Sequence, residues 1–343
     1  MQNLTKPTRN TYWDTVKALL IFLVILGHVV QFFMYESDSN RGFWSDPVFK
    51  VIYMFHMPLF MLVSGYFAAK SISKRGQQAV TRYLQRLALP CVSMGGMFLA
   101  LILLKGKSIW GVYVGCITLW FLIVVFECVV FYAIMQWKQA WWYKIIMFIL
   151  PIPLAILCGR TPYISMLWPH TSQFTYLWPV FVLGAYMAHL KFTPQHINWK
   201  WVLFLALYIT AFYFFQPDWY VYRKPLTFDI DCLMIDIYRT AAAIVGCGTA
   251  LWASKLIHAF IGKYAIIQKV GQATLAIYVL QTLLFIKFQL FAQYLPQSLG
   301  YLEAILLSFV ILVALYLIYL TTKRMPLVAL LMYGEWNRKE NKN

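Results

Sequence analysis

The chain has 343 residues, of which 62% are hydrophobic and only 12% are charged, and its mean hydropathy is +0.65. Soluble domains carry about 25% charged residues, so this composition rules out a soluble enzyme, a disordered chain and a secreted disulfide-linked domain. So much apolar surface needs lipid as its solvent, and the sequence therefore predicts a polytopic membrane protein.

An excess of basic residues gives the chain a formal net charge of +17. In a soluble protein this excess would indicate nucleic-acid binding, whereas in a membrane protein Lys and Arg collect in cytoplasmic loops. We therefore expect membrane lipids and no nucleic acid as partners. The six Cys form no CxxC pair and lie mostly in apolar runs, which predicts packing roles and no metal site.

A membrane-spanning helix needs about 20 mostly apolar residues. A window of that length predicts an all-α polytopic membrane protein with about ten transmembrane helices. Because two of the apolar runs are short, counts of nine or eleven spans also stay open. The predicted spans are 15–35, 48–69, 87–104, 117–135, 145–158, 174–190, 201–216, 237–257, 270–292 and 303–322.

The basic residues fall mainly into one set of predicted loops. Of the 29 Lys and Arg residues, 20 lie at the N-terminus, in every second loop with its helix ends, or in the C-terminal tail. Because such residues stay on the inner side of a membrane, both termini are predicted to be cytoplasmic. We expect a transmembrane domain over residues 1–325, followed by a short cytoplasmic tail over 326–343 whose apolar part lies in the membrane interface.

Charge inside a span is costly and is commonly functional, and the candidates for such a role are His28, His56, Glu127, Arg239 and Lys287. Arg239 and Lys287 lie near span ends and can also snorkel to the interface, and Glu127 can also hydrogen-bond within the bundle. His28 and His56 lie at similar depth in the first two spans, which run in opposite directions. They are predicted to face a shared polar cavity, although His56 can also be a hydrogen-bonded residue of the bundle.

Lys17 and His28 are eleven residues apart in the first span. At 100° per residue they return to within about 20° of one face, and at 1.5 Å per residue they lie about 16 Å apart along the axis. A cation at the cytoplasmic mouth and an imidazole deep in the bilayer suit a long anionic ligand with a reactive far end. Asp14 precedes Lys17 by three residues and either orients the ammonium group or is an ordinary first-turn acid.

Arg82 and Arg86 lie one helical turn apart just before the third span, on one helix face. Guanidinium groups bind phosphate through paired hydrogen bonds, so this pair predicts a phosphate site at the cytoplasmic surface. The alternative is the ordinary excess of cations in a cytoplasmic loop.

Six segments between about residue 11 and about residue 290 resemble, in order, the membrane-bound acyltransferase family 3, which includes sugar O-acetyltransferases. In the first, YWDTVKALLIFLVILGHVV, Lys17 and His28 match the family's basic residue, ten intervening residues and His. MFHMPLFMLVSGYF resembles the second helix and contains Ser64, and RYLQRLALP resembles the Arg-rich entry to the third. LWFLIVVFECVVFY, YLWPVFVLGAYMAH and ATLAIYVLQ resemble later spans. The first two helices resemble the branch that includes fucose 4-O-acetylase-like proteins.

Two positions depart from the family pattern. The family's paired arginines are usually three residues apart, whereas counting back three from Arg86 reaches Tyr83 and Arg82 is four back. Arg86 therefore carries the resemblance more directly. Many members also have His where this chain has Gln281, so any role of that His is absent or taken by an amide.

The resemblance implies an integral membrane O-acyltransferase, expected in a bacterial inner membrane. It would move an acyl group, usually acetyl, from cytoplasmic acyl-CoA to a hydroxyl of a cell-surface glycan or lipid-linked sugar, with no metal. His28 would be the catalytic base, and Lys17, Arg86 and Arg82 would bind the CoA phosphates. Direct transfer and an acyl-histidine intermediate both stay open.

Developing charge on the thioester oxygen needs hydrogen-bond donors, for which His56, Ser64 and Arg239 are candidates. The aromatic and acidic residues of the loop 216–236 are candidates for sugar binding, or else an ordinary aromatic belt. The residues expected to support the site are Asp14, His56, Ser64, Glu127 and Arg239.

The main alternative to an enzyme is a secondary transporter of an anion or glycan precursor, which would use the same buried cations along its path. A non-catalytic membrane assembly factor is a third interpretation. A transporter has no need of a cytoplasmic phosphate clamp, so Lys17, His28 and the arginine pair together favour the enzyme.

Overall fold

The computed structural model describes residues 10–35, 42–104, 119–161, 165, 168–190, 192, 199–291 and 299–335, without the side chains of 98–104 and 286–291. These residues are mostly helical and contain no strand. The helices are α1 (Thr11–Val29), α2 (Pro47–Arg75), α3 (Gln77–Leu104), α4 (Trp120–Met135), α5 (Trp141–Ile149), α6 (Pro151–Arg160), α7 (Thr171–His189), α8 (Trp199–Phe214), α9 (Ile230–Ile261), α10 (Ala265–Gln272), α11 (Thr274–Phe291), α12 (Tyr301–Thr322) and α13 (Pro326–Tyr333).

Local sequence explains where the first two helices begin. The Asn10 side chain accepts the Tyr12 N–H at 3.1 Å, and the Asp46 carboxylate accepts the Phe49 N–H at 2.8 Å. Asn and Asp are preferred caps because they satisfy a backbone donor that has no partner in the first turn. Pro47 follows its cap, where its missing N–H costs nothing.

Five helices in the described part of the chain are long and apolar enough to cross a membrane: Thr11–Met34, Pro47–Arg75, Trp141–Arg160, Ile230–Ile261 and Tyr301–Thr322. The first two are 67% and 72% buried over their most apolar stretch, whereas the other three are 17–33% buried. The first two helices therefore form the centre of the bundle, and the others present apolar side chains to lipid. The all-α membrane fold is confirmed, while ten spans and cytoplasmic termini stay predictions.

The centre of the fold depends on backbones that touch where α2 crosses α7. A Cβ placed on Gly65 would overlap the carbonyl oxygen of Phe181, and one on Gly184 would overlap that of Leu62. Helices in membranes approach this closely only where small residues line the crossing. These two glycines bring α2 into direct contact with α7.

The single span predicted over 270–292 is two helices in the structure. Gly271 packs against the main chain of Asp14 so closely that a Cβ would overlap the Asp14 carbonyl oxygen. The helix α10 ends there, and the Thr274 hydroxyl donates to the Gly271 carbonyl at 2.7 Å. A new helix starts at Thr274, so α10 lies against α1 while α11 continues along the bundle.

One carboxylate joins three helix ends at one edge of the bundle. Asp46 is buried and accepts hydrogen bonds from the hydroxyls of Tyr35 and Tyr301, each at 2.8 Å. Tyr35 follows α1, Asp46 precedes α2 and Tyr301 begins α12. These two hydrogen bonds therefore hold the three helix ends together at the end of the bundle where His28 lies.

Candidate functional site

A cavity of about 650 Å³ lies between α1, α2, α3, α4, α10 and α11. We call it the basic cavity, because Lys17, Lys70 and Arg86 line it. The Lys17 ammonium forms an ion pair of 2.9 Å with the Asp14 carboxylate, which is only 3% exposed. The Gln272 amide also donates to Asp14, at 3.4 Å. Asp14 therefore holds Lys17 at the cavity wall.

The two arginines predicted to act together do not share this cavity. Both side chains are exposed, but only Arg86 lines the cavity, and Arg82 lies one turn nearer the start of α3. Tyr83, three residues before Arg86, lines the cavity instead. The helix α3 starts at Gln77, so both arginines lie within it and not in the loop that was expected.

Lys70 is a cation of the basic cavity that the sequence analysis missed. It donates to the Tyr66 hydroxyl at 2.7 Å and lines the cavity together with Ser64. A signal was present: Phe60, Ser64, Phe67 and Lys70 follow one another at three- and four-residue steps, which is one face of a helix.

A second cavity, of about 410 Å³, contains both deep histidines and is called the histidine cavity. The Nδ1 atom of His28 lies 2.8 Å from the Val24 carbonyl oxygen. Because a carbonyl can only accept, Nδ1 carries the proton in the neutral ring, and Nε2 keeps its lone pair. The ring stacks on Phe285, with centroids 5.0 Å apart and planes inclined by 19°.

His56 is held in the same way. Its Nδ1 donates to the Ile52 carbonyl at 2.8 Å, and its side chain is buried at the wall of the histidine cavity. A neutral His56 therefore also offers an acceptor at Nε2. Directly after His28 the chain winds as a π-helix over Val30–Met34, a distortion that is frequent at functional sites.

The two cavities meet. Val24, Met57 and Tyr278 line both of them. Lys17 in the basic cavity, Val24 at the junction and His28 in the histidine cavity all belong to α1, at spacings of seven and four residues. The single helix face predicted for Lys17 and His28 is therefore the face that lines the whole path, about 16 Å along the axis.

Comparison with known protein families shows which family these two cavities belong to. Residues 10–323 match the acyltransferase domain of acyltransferase family 3. The chain belongs to this acyltransferase family. No solved structure matches the chain.

Two nodulation proteins called NolL are similar to parts of this family member. The NolL of Sinorhizobium fredii is 53% identical over 64 residues, which are 19% of this chain and 17% of that protein. The NolL of Mesorhizobium japonicum is 43% identical over 83 residues, which are 24% of this chain and 22% of that protein. The chain thus matches only about a fifth of the length of these relatives.

Three predicted site residues of this acyltransferase line neither cavity. Arg82 is one, and Glu127 is another, in α4 beside Trp168. The third, Arg239, is 3% exposed, forms an ion pair with Asp236 and donates to the Lys224 carbonyl at 2.8 Å. The hydrogen bond from Arg239 to the Lys224 carbonyl therefore links the loop of residues 217–229 to α9.

Few of the remaining candidate residues line the two cavities. Of the aromatic residues in the 217–229 loop, Tyr222 lines the histidine cavity, whereas Trp219 packs on Tyr238 with centroids 5.1 Å apart. Gln281 is 1% exposed and lines neither cavity. Among the described residues, no three His, Cys, Asp or Glu side chains come together as they would around a metal ion.

Proposed function

We propose that this acyltransferase moves an acyl group, acetyl in the simplest case, from acyl-CoA in the basic cavity to a sugar hydroxyl in the histidine cavity. The observation that carries the proposal is the shared wall of Val24, Met57 and Tyr278, which connects three cations to two imidazoles. A donor with its phosphates at one end and its thioester at the other fits such a path.

The positive charge of the basic cavity indicates that the phosphate end of the acyl donor binds there. Coenzyme A carries its phosphates at the nucleotide end and an uncharged arm that ends in the thiol. Arg86 would grip phosphate oxygens as a fork, while Lys17 and Lys70 would act as point charges. The arm would pass Val24 and bring the thioester to His28. Because acyl-CoA is a cytoplasmic metabolite, this proposal places the basic cavity on the cytoplasmic side of a bacterial inner membrane.

His28 supplies the base. With the proton of its neutral ring on Nδ1, the Nε2 lone pair takes the proton of the acceptor hydroxyl as its oxygen attacks the thioester carbonyl. The tetrahedral intermediate then breaks its C–S bond. The imidazolium returns the proton to the leaving sulfur, so the products are an oxygen ester and free CoA thiol.

The developing oxyanion needs a hydrogen-bond donor, and the three residues predicted for this role do not fit it. A neutral His56 that donates from Nδ1 has no second proton to give, Ser64 lines the basic cavity, and Arg239 lines neither cavity. Tyr278 lines both cavities, at the junction where the thioester would come to rest. We assign the oxyanion contact to Tyr278.

The acceptor is proposed to be a glycan or lipid-linked sugar. Aromatic rings of Trp44, Trp120 and Tyr222 line the histidine cavity, with the polar side chains of Gln31 and Thr282 beside them. Rings that present an apolar face, together with a few hydrogen-bonding groups, suit a pyranose with its apolar faces and equatorial hydroxyls.

Arg86→Ala should raise the dissociation constant for CoA roughly 10- to 100-fold, because a charge-assisted contact contributes about 1.5–3 kcal/mol. Arg86→Lys should recover only part of the affinity, since the paired geometry is lost. Isothermal titration calorimetry on purified protein measures both. Arg82→Ala is the matched control and should bind CoA normally; a loss with Arg82→Ala and none with Arg86→Ala would reassign the phosphate site.

Tyr278→Phe should lower kcat about 10²- to 10³-fold while CoA affinity stays unchanged, because only the transition state loses a hydrogen bond. The control is Tyr132→Phe, which also removes a buried hydroxyl but lies outside both cavities. Equal kcat values for the Tyr278 variant and the unaltered protein would refute the oxyanion assignment.

A further inference from the structure

The last described segment of the chain, residues 326–335, packs on the helix that carries Arg86. It lies beyond residues 10–323, which the family domain covers. The Ser93 hydroxyl of α3 donates to the Leu331 carbonyl of α13 at 2.6 Å. The short helix buries Ala329 and Tyr333 in this contact. We call residues 326–335 the C-terminal clamp.

Two further hydrogen bonds tie the C-terminal clamp to α12. The Tyr333 and Thr322 hydroxyls are 2.7 Å apart. The Tyr319 hydroxyl lies 3.1 and 3.2 Å from the two carboxylate oxygens of Glu335. Tyr333 is only 1% exposed, so the clamp is packed into the bundle at its end.

The main chain of the clamp also lies close to the main chain of Arg86. Gly334 has φ +61°, the left-handed conformation that ends many helices and favours glycine. A Cβ on Gly334 would lie 2.5 Å from the Arg86 Cα and 2.8 Å from its carbonyl oxygen. The main chain of Gly334 therefore rests directly on the main chain of Arg86.

The Glu335 carboxylate of the clamp is held at the end of α12 by the Tyr319 hydroxyl. An exposed arginine side chain has many rotamers to lose when it binds a ligand. A fixed main chain beneath it restricts where the guanidinium can go.

We propose that the C-terminal clamp positions Arg86 for the phosphates of acyl-CoA, with Gly334 as the positioning residue. This inference rests on the proposed function, because it concerns the donor end of that site. The family domain supplies the arginine, and a segment outside the domain sets its place relative to Lys17 and Lys70.

The test uses two truncations of the purified protein. A stop after Met325 removes the clamp, and a stop after Glu335 keeps every contact described above. We expect the first to raise the dissociation constant for CoA and the KM for acetyl-CoA about 10-fold or more, with kcat changed far less, because a phosphate contact is weakened. The second should behave like the full chain.

A double-mutant cycle separates positioning of Arg86 from general loosening of the fold. Gly334→Ala should weaken CoA binding in the unaltered chain and should have no further effect when Arg86 is already Ala. This cycle also decides the matter if the shorter truncation does not fold. Equal weakening in both backgrounds, or normal CoA binding by the chain that stops after Met325, would show that the C-terminal clamp does not position Arg86. A full chain that does not bind CoA at all would overturn the proposed function itself.

Discussion

Replacing His28 by Gln or Ala should reduce acyl transfer on the order of 10²- to 10⁴-fold, the usual contribution of a general base, while CoA still binds. The substitution removes the Nε2 lone pair from the histidine cavity, whereas Lys17, one of the three cations proposed to bind the phosphates, lies about 16 Å away along α1. The measurement is single-turnover transfer from labelled acetyl-CoA by protein in nanodiscs, with CoA affinity measured on the same samples.

His28→Asn sharpens this prediction. The Asn amide nitrogen can replace Nδ1 as the donor to the Val24 carbonyl, so the local helix geometry is kept while the base is lost. His56→Gln is the comparison on the neighbouring helix, and it should reduce transfer less if His56 only positions the acceptor. Normal transfer by a folded His28→Asn protein would remove His28 from the mechanism.

Gly184→Ala should abolish or strongly destabilise the fold. A methyl group there would overlap the Leu62 carbonyl oxygen, so α2 and α7 would have to separate along their closest crossing. Overpacking of this kind costs about 1–3 kcal/mol, and more when a main chain must move. Fluorescence-detected size exclusion and thermal unfolding of the detergent-solubilised protein measure the loss.

Gly96→Ala is the matched control, because nothing lies within 4 Å of a Cβ at that position in α3. Alanine is a better helix former than glycine, so this variant should be as stable as the unaltered chain or slightly more stable. If Gly184→Ala and Gly96→Ala unfold at the same temperature, the close crossing is not what holds α2 against α7.

Helical periodicity was enough to predict which face of α1 lines the two cavities. Lys17 and His28 could be placed on one face of α1 by counting residues, and the structure adds Val24 between them. A charged residue inside an apolar run is conspicuous in a sequence. Lys70 was missed because it lies at the end of its run, where a lysine looks like ordinary cytoplasmic charge.

Other features depend on contacts between residues that are far apart in the sequence, and the spacing of residue types does not reveal such contacts. Arg82 and Arg86 share a helix face, but the cavity ends between them, and only the packing of α3 shows where. The role of Arg239 depends on the Lys224 carbonyl, which an irregular loop brings back to it. The place of Tyr278 depends on the helix break before Thr274, which follows from the contact between Gly271 and Asp14.

The most direct test of acyl transfer to a glycan can be made before the acceptor sugar is identified. The gene is deleted, and cell-surface glycans and lipid-linked sugars are compared by mass spectrometry with those of strains that carry the unaltered protein or His28→Gln. The account predicts that one acyl ester disappears on deletion, returns with the unaltered protein and stays absent with His28→Gln. Glycans that keep every acyl ester after deletion, or recover the ester with His28→Gln, would contradict it and favour a transporter.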